Sequence, residues 1–313
     1  MSLNINGEVT IIIPTLNEAD AIGDVIDELH AHGITNIIVV DGHSTDGTDK
    51  IAREKGATVI YQDGKGKADA VRKGLSHVKT KYALIMDGDW TYPAKHVEEL
   101  YLKAKEGYDQ VIGVRIEEPG AQSVTFRIGN KILTWVFNLL FGTSLKDVLS
   151  GMYIVRMNAL ADALLSMEGF SIESEIAAHI ASTSLSIAEV PITYRKRKGR
   201  KKLGKKHGLL IARDMIRLAW RYNPSFVIFA LGSLLLIPGV SLAAWVIYEY
   251  LFHGIKHHIW GIIAVTLSSS GFNSLLFAII SIYLKHLEYR MNRKINELCK
   301  PLQLSQAECY KTQ

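Results

Sequence analysis

Tyr82-Ala83-Leu84-Ile85-Met86-Asp87-Gly88-Asp89-Trp90-Thr91-Tyr92-Pro93 decides how the chain is read. The first five residues are apolar and read as a buried strand. Two carboxylates then stand one residue apart where that strand ends. Hard cations such as Mg²⁺ or Mn²⁺ take oxygen ligands, commonly one or two carboxylates plus the phosphates of a substrate. Asp87 and Asp89 therefore read as a clamp that holds a divalent metal against a nucleotide diphosphate. Asp and Gly also dominate turns, so by itself Asp-Gly-Asp is more often a turn. The rest of the chain has to move that balance.

Upstream, Val9-Thr10-Ile11-Ile12-Ile13 is a β-branched run that ends at Pro14. A helical pattern follows from Glu18 to about His32, with Ala21, Ile22, Val25, Ile26 and Leu29 on one face. Ile37 to Val40 reads as a second strand closed by Asp41, and Asp46 as the cap of a helix reaching about Gly56. Thr58 to Tyr61 is a third strand. Alternating strands and helices, with strands apolar throughout, predict a parallel, doubly wound α/β sheet. Ligands of such sheets sit at the carboxyl ends of the strands, so Pro14, Asp41 and Asp87 share one rim. Downstream, Val111 to Arg115 reads as a strand ending in a cation. Residues 123 to 142 form an apolar helix that packs in the core or lies against lipid. Residues 158–166 and 173–184 read as helices, and Ile187 to Ile192 as a last strand. Glu173 and Glu175 open a helix, where acids suit the helix dipole.

The chain has 313 residues, is 48% hydrophobic and carries a net charge of +5. From Arg195 to Arg221 there are twelve Lys or Arg and one acid, Asp214. Lys205 to Tyr222 places Leu209, Leu210, Met215, Ile216, Leu218 and Ala219 against Arg213, Arg217 and Arg221, the pattern of a basic amphipathic interface helix. Phe226 to Tyr248 and Ile259 to Leu284 then run 23 and 26 residues without a charge. Each exceeds the roughly 20 residues that cross a bilayer, so two transmembrane helices are expected. A kink at Pro238-Gly239 is tolerable there. Basic flanks outside the pair put the soluble domain and both termini in the cytoplasm of a two-span membrane protein. Cations beside two spans face lipid headgroups, so nucleic acid is not an expected partner. Arg195, Lys196, Arg200 and Lys201 read individually as part of that membrane-surface charge. Cys299 and Cys309 form no disulfide framework. Met1 to Glu8 has no apolar h-region, so no cleavable signal peptide is expected.

Two short motifs lead elsewhere on inspection. Gly64-Lys65-Gly66-Lys67-Ala68-Asp69 lacks the spacing of a P-loop. Asp41-Gly42-His43-Ser44-Thr45-Asp46-Gly47 begins like a calcium loop, but Ala52 stands where Glu would close it. His43, His179 and the His253, His257, His258 group show no ligand spacing.

Taken in order, Ile13-Pro14-Thr15-Leu16-Asn17-Glu18, Val39 to Thr48, the Gly-Lys-Gly-Lys stretch and Asp87-Gly88-Asp89 resemble the family 2 glycosyltransferases over about residues 8 to 205. The match is nearest the polyprenyl-phosphate branch that includes the dolichol-phosphate mannose synthases. The resemblance implies a GT-A fold, a Rossmann-like, doubly wound, mostly parallel α/β sheet, followed by the interface helix and two transmembrane helices. It implies domains at 1–204 (catalytic), 205–224 (interface helix), 225–250 and 259–284 (spans), 251–258 (external loop) and 285–313 (cytoplasmic tail).

The resemblance also implies roles. Pro14, Leu16, Glu18, Asp41 and Lys67 would hold the nucleoside of a nucleotide sugar. Asp87 and Gly88 would lie near ribose and phosphates, with Asp89 the main ligand of Mg²⁺ or Mn²⁺ and Thr91 a further one. Asp89, Arg115 and Arg127 would be the catalytic set, the two arginines contacting the acceptor phosphate or the pyrophosphate; Ser150 would contact the acceptor phosphate, and Asp147 and Gly151 belong to the same loop as Ser150. Arg197 and Lys202, in a basic loop after the last strand, would close over the donor. Relatives often carry Tyr at Leu16, Asp at Gly42, Gln at Thr91 and Ser at Val114. GDP-mannose is the first expected donor and UDP-glucose the second, with a polyprenyl or dolichyl phosphate as acceptor and a β-linked product. Two rivals are a processive polysaccharide synthase, whose Gln-x-x-Arg-Trp motif is missing, and a non-catalytic membrane adaptor on the same scaffold.

Overall fold

The computed structural model describes residues 5–166, 172–184, 186–199 and 205–309. Side chains are described up to 284, apart from 205–212, and then at 287 and 291. The chain divides into two compact units, residues 1–218 and 219–313.

The first unit is built on a seven-stranded sheet of order β3-β2-β1-β4-β6-β5-β7. Its strands are β1 Val9–Thr15, β2 Ile37–Asp41, β3 Thr58–Tyr61, β4 Tyr82–Ile85, β5 Gln110–Glu117, β6 Tyr153–Arg156 and β7 Ile187–Tyr194. All are parallel except β6, which runs antiparallel between β4 and β5. β2 and β4 are buried throughout and β1 everywhere but Pro14, which is why these strands are largely apolar on both faces. The helices are α1 Ile5–Glu8, α2 Ala19–Ala31, α3 Thr48–Glu54, α4 Lys67–Leu75, α5 His96–Lys105, α6 Val124–Phe141, α7 Ile172–Thr183 and α8 Lys205–Tyr222. Helices α1 to α5 and α7 pack on the sheet in two apolar clusters. Gly74 of α4 lets that helix approach β1, since a methyl there would meet Ile12 Cγ2 at 2.5 Å. The chain steps from β1 outward to β3 and then back to β4 on the other side of β1. The carboxyl ends of β1 and β4 therefore flank the switch point where such sheets bind ligands.

Three expectations change. The segment predicted as a helix over 158–166 is a short 3-10 turn, Met157–Leu160, followed by irregular chain. β6 was not expected, because Tyr-Ile-Val-Arg is four residues long and directly follows a glycine loop. Helices α4 and α5 also add to the predicted set. α6 is neither wholly core nor wholly exposed. Thr134, Phe137 and Phe141 are buried, while Val124, Ile128, Ile132, Trp135 and Leu139 form an exposed apolar stripe. α8 likewise buries Met215 and Leu218 and exposes Ile216, Arg213 and Arg217. Leu209 and Leu210 lie outside the described side chains.

The second unit holds α9 Pro224–His253 and α10 His258–Cys309. α9 and residues 258–284 of α10 are long and apolar enough to cross a membrane, with mean hydropathy 2.3 and 1.7 and little of their surface buried. Close approach is possible because Gly232, Gly239 and Gly271 stand where a methyl would collide with the facing helix. α10 continues as helix through the segment expected as a separate tail, as far as Cys309.

Candidate active site

A cleft of about 590 Å³ opens over the carboxyl ends of β1 and β4. Pro14, Leu16 and Glu18 line it from the β1 end, and Asp87, Gly88 and Asp89 from the β4 end. Lys67 at the start of α4, Arg115 on β5 and Arg197 after β7 complete the expected lining. The chain bends at Asp-Gly-Asp, and all three residues line the cleft. Gly88 is required by packing, because a methyl there would come within 2.9 Å of Thr15 Cγ2.

The two carboxylates are met by different cations. Lys67 Nζ lies 2.6 Å from Asp87 Oδ1 and 2.5 Å from Glu173 Oε1. Burial works against its charge, but Asp87 and Glu173 override it and hold the ammonium well above its usual range. Glu173 is itself raised, chiefly by burial and against the pull of Lys67. Arg197 Nη1 lies 3.3 Å from Asp89 Oδ2, and the same guanidinium pairs with Glu18. Thr91 donates to Asp89 Oδ1 from its hydroxyl at 2.5 Å and from its backbone N–H at 3.2 Å. Burial and then the Asp87 charge push Asp89 up to about 6, despite Thr91 and Arg197. A mutually repelling pair with hard oxygen donors, Asp89 buried and Asp87 partly so, suits a divalent cation.

On the opposite wall, Arg115 makes a bidentate pair with Asp147, both bonds 2.7 Å. That carboxylate outweighs burial and keeps Arg115 well above its ordinary value. Gly151 sits against the Asp87 carboxylate so closely that any side chain would overlap it. Its N–H donates to Tyr92 Oη at 2.7 Å, and Tyr92 packs edge-on against Tyr194.

Four expected residues are not part of the lining. Asp41 is fully buried and accepts from the Ser44 N–H and hydroxyl, so it shapes the turn after β2. Thr91 is buried and spends its hydroxyl on Asp89. Ser150 is buried, and its hydroxyl accepts from the Met152 N–H. Arg127 is half exposed and bound to Glu117. Lys202 lies outside the described residues, as do Arg200 and Lys201.

Three residues were misread from sequence. Glu173 is more than a helix-dipole acid; it lies in the cleft wall on Lys67. Its signal is only a Glu at a helix start, and the partner is 106 residues away in sequence. Lys196 lines the cleft, and Arg195 is a bidentate partner of Glu28 stacked over Trp90, so neither is plain surface charge.

Comparison with known proteins agrees with this architecture. Residues 10–161 match the family described as glycosyl transferase family 2. Glycosyltransferase AglJ of Haloferax volcanii is 34% identical over 93% of this chain and 98% of its own length. A dolichyl-phosphate hexose transferase of the same organism is 32% identical over 63% of this chain and 86% of its own. Glucosyl-3-phosphoglycerate synthase of Mycobacterium tuberculosis, solved with Mn²⁺, UDP-glucose and phosphoglyceric acid, shares the fold. It superposes with a TM-score of 0.56 at 22% identity, covering 69% of this chain and 79% of its own. The chain belongs to the family 2 glycosyltransferases and has their GT-A fold.

Proposed function

We propose that the cleft transfers a hexose from a nucleoside diphosphate sugar to a polyprenyl or dolichyl phosphate, inverting the anomeric carbon. The observation that carries the reading is the pair Asp87 and Asp89 on the cleft floor, faced by Lys67, Arg115 and Arg197. A phosphate monoester is already anionic near neutrality, so it attacks without a general base. Its oxygen forms the new bond to the anomeric carbon as the bond to the diphosphate breaks. The electron pair leaves with the nucleoside diphosphate. What the chain has to supply is charge balance and alignment.

Asp87 and Asp89 would hold Mg²⁺ or Mn²⁺, with Thr91 orienting Asp89 rather than serving as a ligand itself. Among the described residues no group of three or more His, Cys, Asp or Glu gathers for a metal. Further coordination is therefore left to the diphosphate and water. The bound metal would neutralise the leaving group. The Mn²⁺ and UDP-glucose bound to the mycobacterial synthase support this assignment. Pro14 and exposed Leu16 offer an apolar ledge for a nucleobase. Arg197 and Lys196 would meet the diphosphate, and Arg115 the acceptor phosphate. Arg127, tied to Glu117 outside the lining, receives no contact in this account. GDP-mannose is the first donor to test and UDP-glucose the second.

The acceptor class rests on the dolichyl-phosphate relative and on the apolar surface around the cleft. α9 and the first half of α10 would span the membrane, with the catalytic unit and both termini in the cytoplasm. The stripe from Val124 to Leu139 lies on the same helix as Phe126 and Asn130, which line the cleft, and α6 carries no acid. Such a helix suits the surface of a bilayer and would bring the cleft to the acceptor. Transfer of labelled mannose or glucose to a polyprenyl phosphate, with and without Mn²⁺, tests the reading. Transfer from neither donor would overturn it.

A further inference from the structure

Trp90 stands between Asp89 and Thr91, yet it is not part of the cleft lining. Its φ is +74°, a left-handed conformation that a bulky residue rarely holds. That backbone turns the indole away from the carboxylates and under the segment that follows β7. Arg195 Cζ lies 4.8 Å and Lys198 Nζ 4.2 Å from the ring centroid. Cations over an indole face are attracted by its quadrupole, and Trp offers the strongest such face. The same two residues are also tied to the motif through the backbone. The Arg195 N–H donates to Thr91 O at 2.9 Å, and the Lys198 N–H to Asp89 O at 3.1 Å. Acids of α2 complete the fastening, Glu28 on Arg195 and Asp24 on Lys198.

The strap from Arg195 to Lys198 is therefore held at both ends over one indole. Between those ends stand Lys196 and Arg197, both in the cleft lining. We propose that Trp90 is a positioning residue: its ring pins the cationic strap to the Asp-Gly-Asp motif, so that Lys196 and Arg197 meet the nucleotide diphosphate already placed. This rests on the proposed donor class. The pin itself is a statement about this chain alone.

The two ideas separate experimentally, using the full-length membrane-embedded protein. Trp90→Gly removes the ring while suiting the left-handed backbone, and Trp90→Phe keeps an aromatic face. The first measurement is trypsin cleavage after Arg195, Lys196, Arg197 and Lys198, read by mass spectrometry. The second is calorimetric binding of Mn²⁺–GDP and Mn²⁺–UDP. Trp90 is half-buried against the main apolar cluster, so Trp90→Gly is expected to lower the melting temperature, and both measurements are made well below it. Strap cleavage should rise about tenfold, and nucleotide binding should weaken about tenfold, the scale of two cation–ring contacts. Trp90→Phe should restore most of both. Acceptor KM should not move in any variant that turns over. Unchanged cleavage in Trp90→Gly, or a Phe variant as open as the Gly variant, overturns the pin. Wild-type protein that binds neither nucleotide sinks the donor reading instead, and the cleavage result still decides the pin.

Discussion

Arg197 Nη1 lies 3.3 Å from Asp89 Oδ2, and the other terminal nitrogen of the same guanidinium donates to Glu18. In this state the cation stands on a carboxylate assigned to the metal. Metal and diphosphate together would draw Arg197 from Asp89 onto the phosphates. Arg197→Ala should therefore act in two directions. Mn²⁺ alone should bind more tightly, because its competitor is gone. The nucleotide sugar should bind more weakly, with KM raised about tenfold or more, the scale of a lost charge-assisted hydrogen bond. Calorimetry with Mn²⁺ alone, beside donor kinetics, checks both signs.

Lys67 is the only described cation paired with Glu173, and it shares its charge with Asp87. Lys67→Met would leave two carboxylates in a largely buried place without their counter-charge. Removing one partner of a buried pair costs about 3 kcal/mol or more. Thermal denaturation should show that loss. Adding Glu173→Gln should recover part of it, since one of the stranded charges is then gone. A double variant no more stable than Lys67→Met would show that the two side chains are not coupled.

Gly151 leaves no room beside Asp87. Gly151→Ala should push the Asp87 carboxylate out of place and lower kcat/KM at least about tenfold, the scale of a misplaced group at a reacting centre. The melting temperature should change much less than activity. Steady-state kinetics with both substrates would show it, and near-normal activity would mean that Asp87 has freedom to move.

The sequence made the frame legible because the parallel strands are apolar throughout and end in polar residues. Ile11 to Ile13, Ile37 to Val40 and Leu84 to Met86 announce themselves in that way. Asp87 and Asp89 stand out in the sequence by their place at a strand's end, and Lys67 only through the family resemblance. Partners contributed by other elements were not legible. Glu173 reaches Lys67, Asp147 reaches Arg115 and Glu117 holds Arg127 only once the topology is known. Arg127 is an expected site residue through the family resemblance, on an apolar segment whose other charge is Lys131, and Glu117 on β5 pairs with it. Trp90 was silent for a related reason. Nothing in Asp-Trp-Thr announces a left-handed backbone, and its cations come from residues more than a hundred positions later.

The exposed stripe on α6 gives a prediction about the acceptor. Trp135→Asp places a charge on a face that would meet lipid. In proteoliposomes it should raise the KM for a long-chain polyprenyl phosphate several-fold and leave the donor KM unchanged. A short, water-soluble prenyl phosphate should be used as well as by wild type. An equal loss with both acceptors would place the effect in the cleft rather than at the bilayer surface.

The most direct measurement is metal-dependent sugar transfer by wild-type protein and by Asp89→Asn. Labelled GDP-mannose and UDP-glucose are each offered with a polyprenyl phosphate, in Mn²⁺ and in chelator. Wild type should form a glycolipid from one of the donors only when metal is present. Asp89→Asn should lose at least about a hundredfold in kcat while remaining folded, because it removes charge where the leaving group is neutralised. Transfer that persists in chelator, or an Asp89→Asn variant as active as wild type, would contradict the account.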